Sequence, residues 1–321
     1  MQEDSPIGGY FELELRQGNH YHADAIRLNS GTNAFEYILR SRKYRKVHIP
    51  YYTCEAMLVP LERLNIEYAF YSIDRHLEPT GLPSLGNAEA FLYTDYFGLK
   101  HPYVEQLTSL YGDSLIVDNT QAFYAMPCNG VDTFYSARKF FGVPDGAYLY
   151  TDSTLPVELE QDRSHDRCSH LLKRIDLGAP DGYADFQCNT QVLADTPLRL
   201  MSRLTETLLG NIDYEEVRTR RIANYYTLEA ALRESNQLKL TLTDGAVPLV
   251  YPYLPSTSGL KQRLIEEHIF VATYWPNVLQ WRNSGDWEHT LAQNACFLPV
   301  DQRYGDSDMH RICNVILSHH E

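Results

Sequence analysis

No apolar run in this chain approaches the roughly 18–20 residues that a membrane-spanning helix needs. The opening Met1-Gln2-Glu3-Asp4-Ser5-Pro6 is acidic and polar, the reverse of the basic start and apolar middle of a secretory leader. Positive charge is also short: 28 Lys and Arg stand against 42 Asp and Glu, a formal net charge of −14. A groove for nucleic acid needs clustered cations to neutralise phosphates, so that partner is excluded. The 6 cysteines are scattered, with no C-x-x-C and no tight His/Cys spacing. They read as reduced structural thiols of a cytoplasmic protein rather than a disulfide framework or a zinc site. His20-Tyr21-His22 would place two imidazoles on one face of a strand, but no further ligand follows at metal spacing. What is abundant is tyrosine, 24 residues against 12 Phe and 3 Trp.

A chain of 321 residues is long enough to bury a large core without staples, and at roughly 150 residues per domain it suggests two domains. Helix-capping residues Ser30, Gly31 and Thr32 precede a helix over 33–42,. Short apolar strands are expected at 47–49, 67–71, 90–94, 114–118, 133–135 and 147–150, with helices over 55–64 and 103–111 and a loop over 75–89,. Strands alternating with helices point to a mostly parallel sheet covered on both faces. Beyond residue 155 the texture turns helical and polar. An amphipathic helix over 213–233 leads into a smaller α+β unit with a strand at 248–253, a helix over 259–268, and residues 297–299 leading to a final helix over 308–317. The division falls at 1–205 and 206–321, with an N-terminal arm over 1–24. Within the arm, Phe11, Leu13 and Leu15 alternate with Glu12 and Glu14, the pattern of an edge strand or of an arm near the site. The basic run 40–46 reads as a solvated helix end, where cations suit the macrodipole.

Ligands of an open parallel sheet lie beyond the carboxyl ends of its strands, and three motifs fall there. Asn29-Ser30-Gly31-Thr32-Asn33 is a small-residue turn opening a helix, with backbone N–H groups and a positive helix end suited to phosphate. Asp118 closes an apolar strand and begins Asp118-Asn119-Thr120-Gln121-Ala122; a carboxylate there is a cap or a buried charge that needs a partner. Lys139 lies in Ser136-Ala137-Arg138-Lys139-Phe140-Phe141-Gly142, where aromatic neighbours and Arg138 favour its neutral, nucleophilic form. Ser136-x-x-Lys139 also matches the serine–lysine pair of penicillin-interacting enzymes. The accompanying S-D-N and K-T-G are missing, and Gly142, Pro144 and Gly146 forbid the required helix,. Phosphate turn, then carboxylate, then lysine on successive strand ends is the layout of a pyridoxal phosphate site.

On these motifs the chain resembles the DegT/DnrJ family of sugar aminotransferases, within the fold-type I pyridoxal phosphate enzymes. Ser30 to Ala34 resembles the family's S-G-T-x-A phosphate turn, and Asp118-x-x-Gln121-Ala122 its D-x-x-Q-A signature. Asp95-Tyr96-Phe97-Gly98, Thr273-Tyr274-Trp275-Pro276 and Leu298-Pro299-Val300-Asp301-Gln302-Arg303-Tyr304 resemble its other landmarks. The resemblance implies a mostly parallel central sheet flanked by helices plus a small C-terminal α+β domain. It implies pyridoxal 5'-phosphate as cofactor, with Gly31, Thr32 and Ser136 at the phosphate, Asp118 at the pyridine nitrogen and Gln121 near the ring hydroxyl. Lys139 would carry the cofactor, and Tyr52 or Cys54 would lie against its ring. A homodimer, an amino acid donor (glutamate by family habit) and a keto-sugar acceptor, nucleotide-linked, are also implied. Three departures stand out: Phe123 where the family has His, no Asn before Met201-Ser202, and a short, dissimilar stretch over 140–200. Two rivals follow: a lyase or desulfurase using the same cofactor, and a catalytically retired scaffold with a binding role.

Overall fold

The computed structural model describes residues 7–318. Seven strands form its main sheet: β1 (Ile26–Leu28), β2 (Lys46–Pro50), β3 (Glu67–Tyr71), β4 (Glu89–Thr94), β5 (Leu115–Asp118), β6 (Asp132–Ser136) and β7 (Ala147–Tyr150). Their order is β1-β7-β6-β5-β4-β2-β3. Pairings from β3 through β6 are parallel, whereas β7 runs antiparallel to both neighbours. Between the strands lie α1 (Gly31–Arg42), α2 (Leu58–Arg63) and α3 (His101–Tyr111).

The strands read as nearly continuous apolar runs because both faces are covered. Alternate residues divide cleanly between two cores. Ala90, Leu92, Ile116, Phe134 and Leu149 pack under α1 and α2, with Phe35, Ile38, Leu58 and Leu61. Phe91, Tyr93, Val117, Tyr135 and Tyr148 face the other way, toward Val104 and Leu107 of α3 and the C-terminal residues.

After β7 come α4 (Ser169–Asp176), α5 (Ala179–Asp195), α6 (Arg203–Gly210) and α7 (Tyr214–Leu232). The chain closes with β8 (Val250–Tyr253), α8 (Leu260–Glu266), α9 (Val278–Trp281), α10 (Trp287–Asn294), β9 (Cys296–Pro299) and α11 (Asp306–Leu317). β8 and β9 pair antiparallel. Tyr225 and Leu228 of α7, Ile312 and Ile316 of α11 and Phe297 of β9 belong to the same core as the second sheet face. No helix among the described residues is long and apolar enough to cross a membrane, and all six cysteines are free.

Several expectations are corrected. Residues 10–20 form no strand, and Tyr10, Phe11 and Leu13 are exposed. His20 and His22 likewise sit outside any strand, in and beside a turn; His20 Nδ1 lies 2.6 Å from the Tyr148 hydroxyl and His22 Nδ1 3.2 Å from that of Tyr150. Nor is the basic run only solvated. Arg42 donates twice to buried Asp132, each at 2.8 Å, and Arg40 bonds Glu36 at 2.8 Å.

Much of the tyrosine is explained by burial with a polar tip. Tyr71, Tyr93, Tyr96 and Tyr135 are buried, and their hydroxyls donate to carbonyls of Leu92, Leu77, Tyr52 and Ala125 at 2.8–3.0 Å. Phenylalanine would fill the same space but take the tyrosine donors from those carbonyls.

The turn after β4 is the most constrained backbone near the strand ends. Phe97 and Gly98 both have positive φ, 61° and 72°. A Cβ on Gly98 would stand 2.6 Å from the Val247 carbonyl oxygen. Gly98→Ala therefore combines an unfavourable backbone with a backbone clash and should cost about 2–4 kcal/mol. Chemical denaturation would show it as a lowered midpoint, and an unchanged midpoint would contradict this account.

Candidate active site

Three segments meet at the carboxyl ends of the central strands. Ser30 caps α1, its Oγ accepting from Asn33 N at 3.1 Å; this fixes the helix start and leaves the first N–H groups of α1 free. Gly31 opens the helix where a side chain would be tightly placed, a Cβ lying 3.1 Å from Thr120 Cγ2 and 3.8 Å from Ser136 Cβ. The α1 start, the turn after β5 and the end of β6 thus enclose one cradle, with Thr32 on the same first turn.

Asp118 ends β5 and is buried, 4 % exposed. Its Oδ1 accepts from Thr120 N at 2.8 Å, and Thr94 Oγ1 of β4 lies 3.5 Å from Oδ2. Gln121 is fully buried; its Oε1 accepts from Phe97 N at 3.0 Å, while Nε2 has no partner. A buried amide donor left unpaired costs free energy, so its retention beside Asp118 points to a ligand atom.

Lys139 ends a single 3-10 turn, Ala137–Lys139, directly after β6. Its Nζ donates to Thr120 Oγ1 at 2.8 Å. The side chain is open to solvent on the wall of a cavity, yet the surrounding protein displaces enough water to lower its ammonium pKa. The fields of Asp118 and Cys54 oppose that shift and Arg138 adds to it. The direction enriches the neutral amine, the form that attacks a carbonyl carbon. Thr120 is the residue that sequence reasoning missed: it is an unspecified position inside the Asp118-to-Gln121 motif, and only the fold shows it holding the lysine.

Of the two ring-facing candidates, Cys54 lies near enough to Lys139 to act on its ammonium. Tyr52 is fully buried, edge-on to Trp275 at 4.6 Å between centroids, with its hydroxyl unpartnered.

Phe123 stands where the resemblance leads one to expect histidine, and an imidazole reaches it from the N-terminal arm. His22 Nε2 donates to the Phe123 carbonyl at 2.7 Å, and the ring packs 4.2 Å from Tyr135. Burial lowers the His22 pKa from 6.5 to about 4. The unfolded chain therefore takes up this proton before the folded one, and stability falls as pH drops from about 6.5 to about 4,. Below that window the loss is complete; above it His22 is neutral in both states. In His22→Gln, thermal midpoints across the same pH range should slope less than in the parent, and equal slopes would refute this.

Among the described residues no group of His, Cys, Asp and Glu could hold a metal ion.

No family model and no curated protein matches the chain. Solved structures do. DesV of S. venezuelae, solved in complex with a ketimine intermediate, matches with a TM-score of 0.64 at 14 % identity, covering 92 % of this chain and 85 % of that one. A DegT DnrJ EryC1 StrS aminotransferase from Brucella abortus matches with a TM-score of 0.59 at 17 % identity, over 92 % and 86 % of the two chains. The PLP-form of Spr1654 from Streptococcus pneumoniae matches at 0.59 and 14 %, over 90 % and 85 %. Along nearly its whole length, this chain has the fold of the DegT/DnrJ/EryC1/StrS sugar aminotransferases.

Proposed function

We propose that this protein is a pyridoxal phosphate-dependent aminotransferase that moves an amino group from an amino acid, glutamate in the first instance, to a nucleotide-linked keto-sugar. The observation that carries the reading is Lys139, with its lowered pKa, bonded to Thr120 two residues beyond Asp118. The neighbours support it: Spr1654 is matched in PLP- and PMP-forms, and DesI was studied with its TDP-sugar product.

The residues present fit the cofactor. The Gly31 cradle is close-walled, a Cβ at position 31 coming within 3.1 Å of the Thr120 methyl, and Thr32 and Ser136 border it. Asp118 ends its strand as a buried carboxylate suited to a protonated pyridine nitrogen, and the orphan Gln121 Nε2 suits a ring oxygen,. The coupling of Cys54 to Lys139 favours Cys54 over Tyr52 as the residue facing the ring. Bound there, pyridoxal phosphate supplies a ring that accepts the electron pair left when a Cα–H bond breaks. Lys139 Nζ, held by Thr120, is the base that takes the Cα proton and returns it, while Asp118 keeps its proton-holding charge at the far end of the ring.

The proposal extends to a cytoplasmic homodimer with a cofactor domain over 1–205 and a covering domain over 206–321. Ile7, Tyr10, Phe11 and Leu13 of the arm and Leu172, Ile175 and Leu177 around α4 are exposed apolar side chains, more than a monomer usually leaves in water. Light scattering should give twice the chain mass. Glutamate alone should convert the purified protein to its amino form spectroscopically, whereas a lyase or desulfurase would leave the spectrum unchanged. A colourless protein that takes up no pyridoxal phosphate would sink the reading.

A further inference from the structure

On the face of the sheet covered by α1 and α2 lies an open groove of about 910 Å³, walled by the second half of α1, the end of α2, and residues 155–159 and 195–198. No residue of the candidate active site lines it. Lys43, at its far end, stands twelve residues beyond Gly31, about 18 Å along the helix axis,.

Its floor is apolar. Leu64, Ile66, Leu155, Leu159 and Leu198 pack on the core under α1 and are only half covered. Its rim is cationic. Buried Glu36, 1 % exposed, accepts from Arg40 Nε through Oε1 and from Arg63 Nη1 through Oε2, each at 2.8 Å. One carboxylate thereby fixes two guanidiniums at the groove, with 44 % and 36 % of their side chains still in water. Lys43 caps α1 in the left-handed region, is exposed, and makes no ion pair among the described residues. Asp195 is the other carboxylate on the wall, so three cations face two carboxylates in a chain of net charge −14.

The N-terminal arm has the opposite character. Phe11 and Leu13 are 91 % and 66 % exposed and alternate with exposed Glu12 and Glu14, ahead of half-covered Leu15. In an extended segment Phe11, Leu13 and Leu15 share one face and the two glutamates the other. The arm's root is anchored, Arg16 N donating to Asn211 Oδ1 at 3.0 Å. Residues 7–15, fully extended at about 3.3 Å each, reach about 30 Å from that anchor. An apolar, acidic segment and an apolar, cation-rimmed groove thus stand open on one chain, and the arm does not lie in the groove of its own chain.

We infer that residues 7–15 dock in the α1 groove of a second copy, Phe11, Leu13 and Leu15 against its floor and Glu12 and Glu14 toward Arg40, Lys43 and Arg63. A two-fold axis makes the exchange reciprocal, so each copy gives one arm and receives one, and the assembly closes at two. The exchange rests on the dimer of the proposed function and is independent of the cofactor chemistry.

The test is a full-length chain carrying the photo-crosslinker p-benzoylphenylalanine in place of Phe11. Irradiation should give a covalent product of twice the chain mass, with the adduct on peptides from 36–43, 63–66 or 155–159. Its yield should fall about two- to fivefold in Glu14→Lys and in Lys43→Glu, the scale of an exposed ion pair, and recover when the two changes are combined. Lys43 is exposed and outside the Glu36 cluster, so its variant leaves that buried carboxylate partnered. An adduct within a single chain, an adduct elsewhere on the second copy, or a yield indifferent to the charge swap overturns the inference. Light scattering separates its failure from that of the dimer. Twice the chain mass with no adduct in the groove overturns the arm exchange alone, whereas a single chain mass overturns both.

Discussion

Lys139→Ala should fold as the parent does, take up pyridoxal phosphate without fixation by borohydride, and lose the glutamate half-reaction by at least about a thousandfold. The asymmetry between fold and chemistry follows from where the side chain sits. It is open to solvent and makes one hydrogen bond, to the Thr120 hydroxyl. Truncation leaves that hydroxyl facing a wet cleft, so the stability change should stay within about 0.5 kcal/mol. The amine, by contrast, is the group held on Thr120, two residues beyond Asp118. Lys139→Arg sharpens the test, since it keeps a cation there but offers no amine that deprotonates near neutral pH. Mass spectrometry of the borohydride-treated protein should find the added cofactor on the parent's Lys139 peptide and on neither variant. An adduct at another lysine, or half-reaction rates near those of the parent, would remove Lys139 from the chemistry.

The sheet was legible because it is built from short apolar runs ended by proline, glycine or a charge. β3 and β7 begin and end where the pattern places them, and β5 stops at Asp118. α1 could be read from its cap, for Ser30 makes the bond that its position predicts, though the helix opens at Gly31 rather than Asn33. β1 left no such signature. Ile26-Arg27-Leu28 is too short to show a period, and it is a strand only because β7, over a hundred residues later, pairs with it. The arm failed for the opposite reason: Phe11, Leu13 and Leu15 alternate as a strand would, but no strand among the described residues pairs with them, and alternation without a partner does not make a sheet.

The site divided along the same line. Asp118 and Lys139 were visible because each closes an element, where chemistry-bearing side chains of a parallel sheet collect. Thr120 and His22 were not, since their roles depend on what the fold brings opposite them. The apolar spacing of α7 likewise marked Val217, Ile222, Tyr225, Leu228 and Leu232 as its buried face, of which Ile222 is only partly buried, but passed over Arg221 and Asn224, which are buried. A helical stripe counts apolar residues, and a polar residue buried by its tertiary partners falls outside that count.

Arg221→Met should destabilise the protein by about 2–4 kcal/mol and slow the half-reaction about tenfold without removing the borohydride-fixed adduct. Methionine fills much of the same volume, so the loss is one of donors rather than of packing. Arg221 reaches Pro248 and Leu249 carbonyls at 3.2 and 3.1 Å and the Phe140 carbonyl at 3.3 Å, and its guanidinium lies 4.5 Å from the Phe140 ring centroid. One side chain thereby ties the approach to β8 to the residue after Lys139. Gln302 Nε2 also donates to the Phe140 carbonyl, at 2.9 Å, so the loop stays tethered at one point, loosely enough to slow the lysine but not to prevent the adduct. The Pro248 and Leu249 carbonyls lose this donor, and with it the planar fork that spans them. Arg221→Lys should recover only part of the stability, because a single ammonium cannot span three carbonyls as a planar fork does. All 3 tryptophans, Trp275, Trp281 and Trp287, lie in the C-terminal part, and Trp275 packs on Tyr52 beside the sheet. Urea unfolding followed by their fluorescence therefore reports whether that part holds to the strand ends. A midpoint equal to the parent's would show that the buried arginine is dispensable to the join and that Gln302 alone positions the loop.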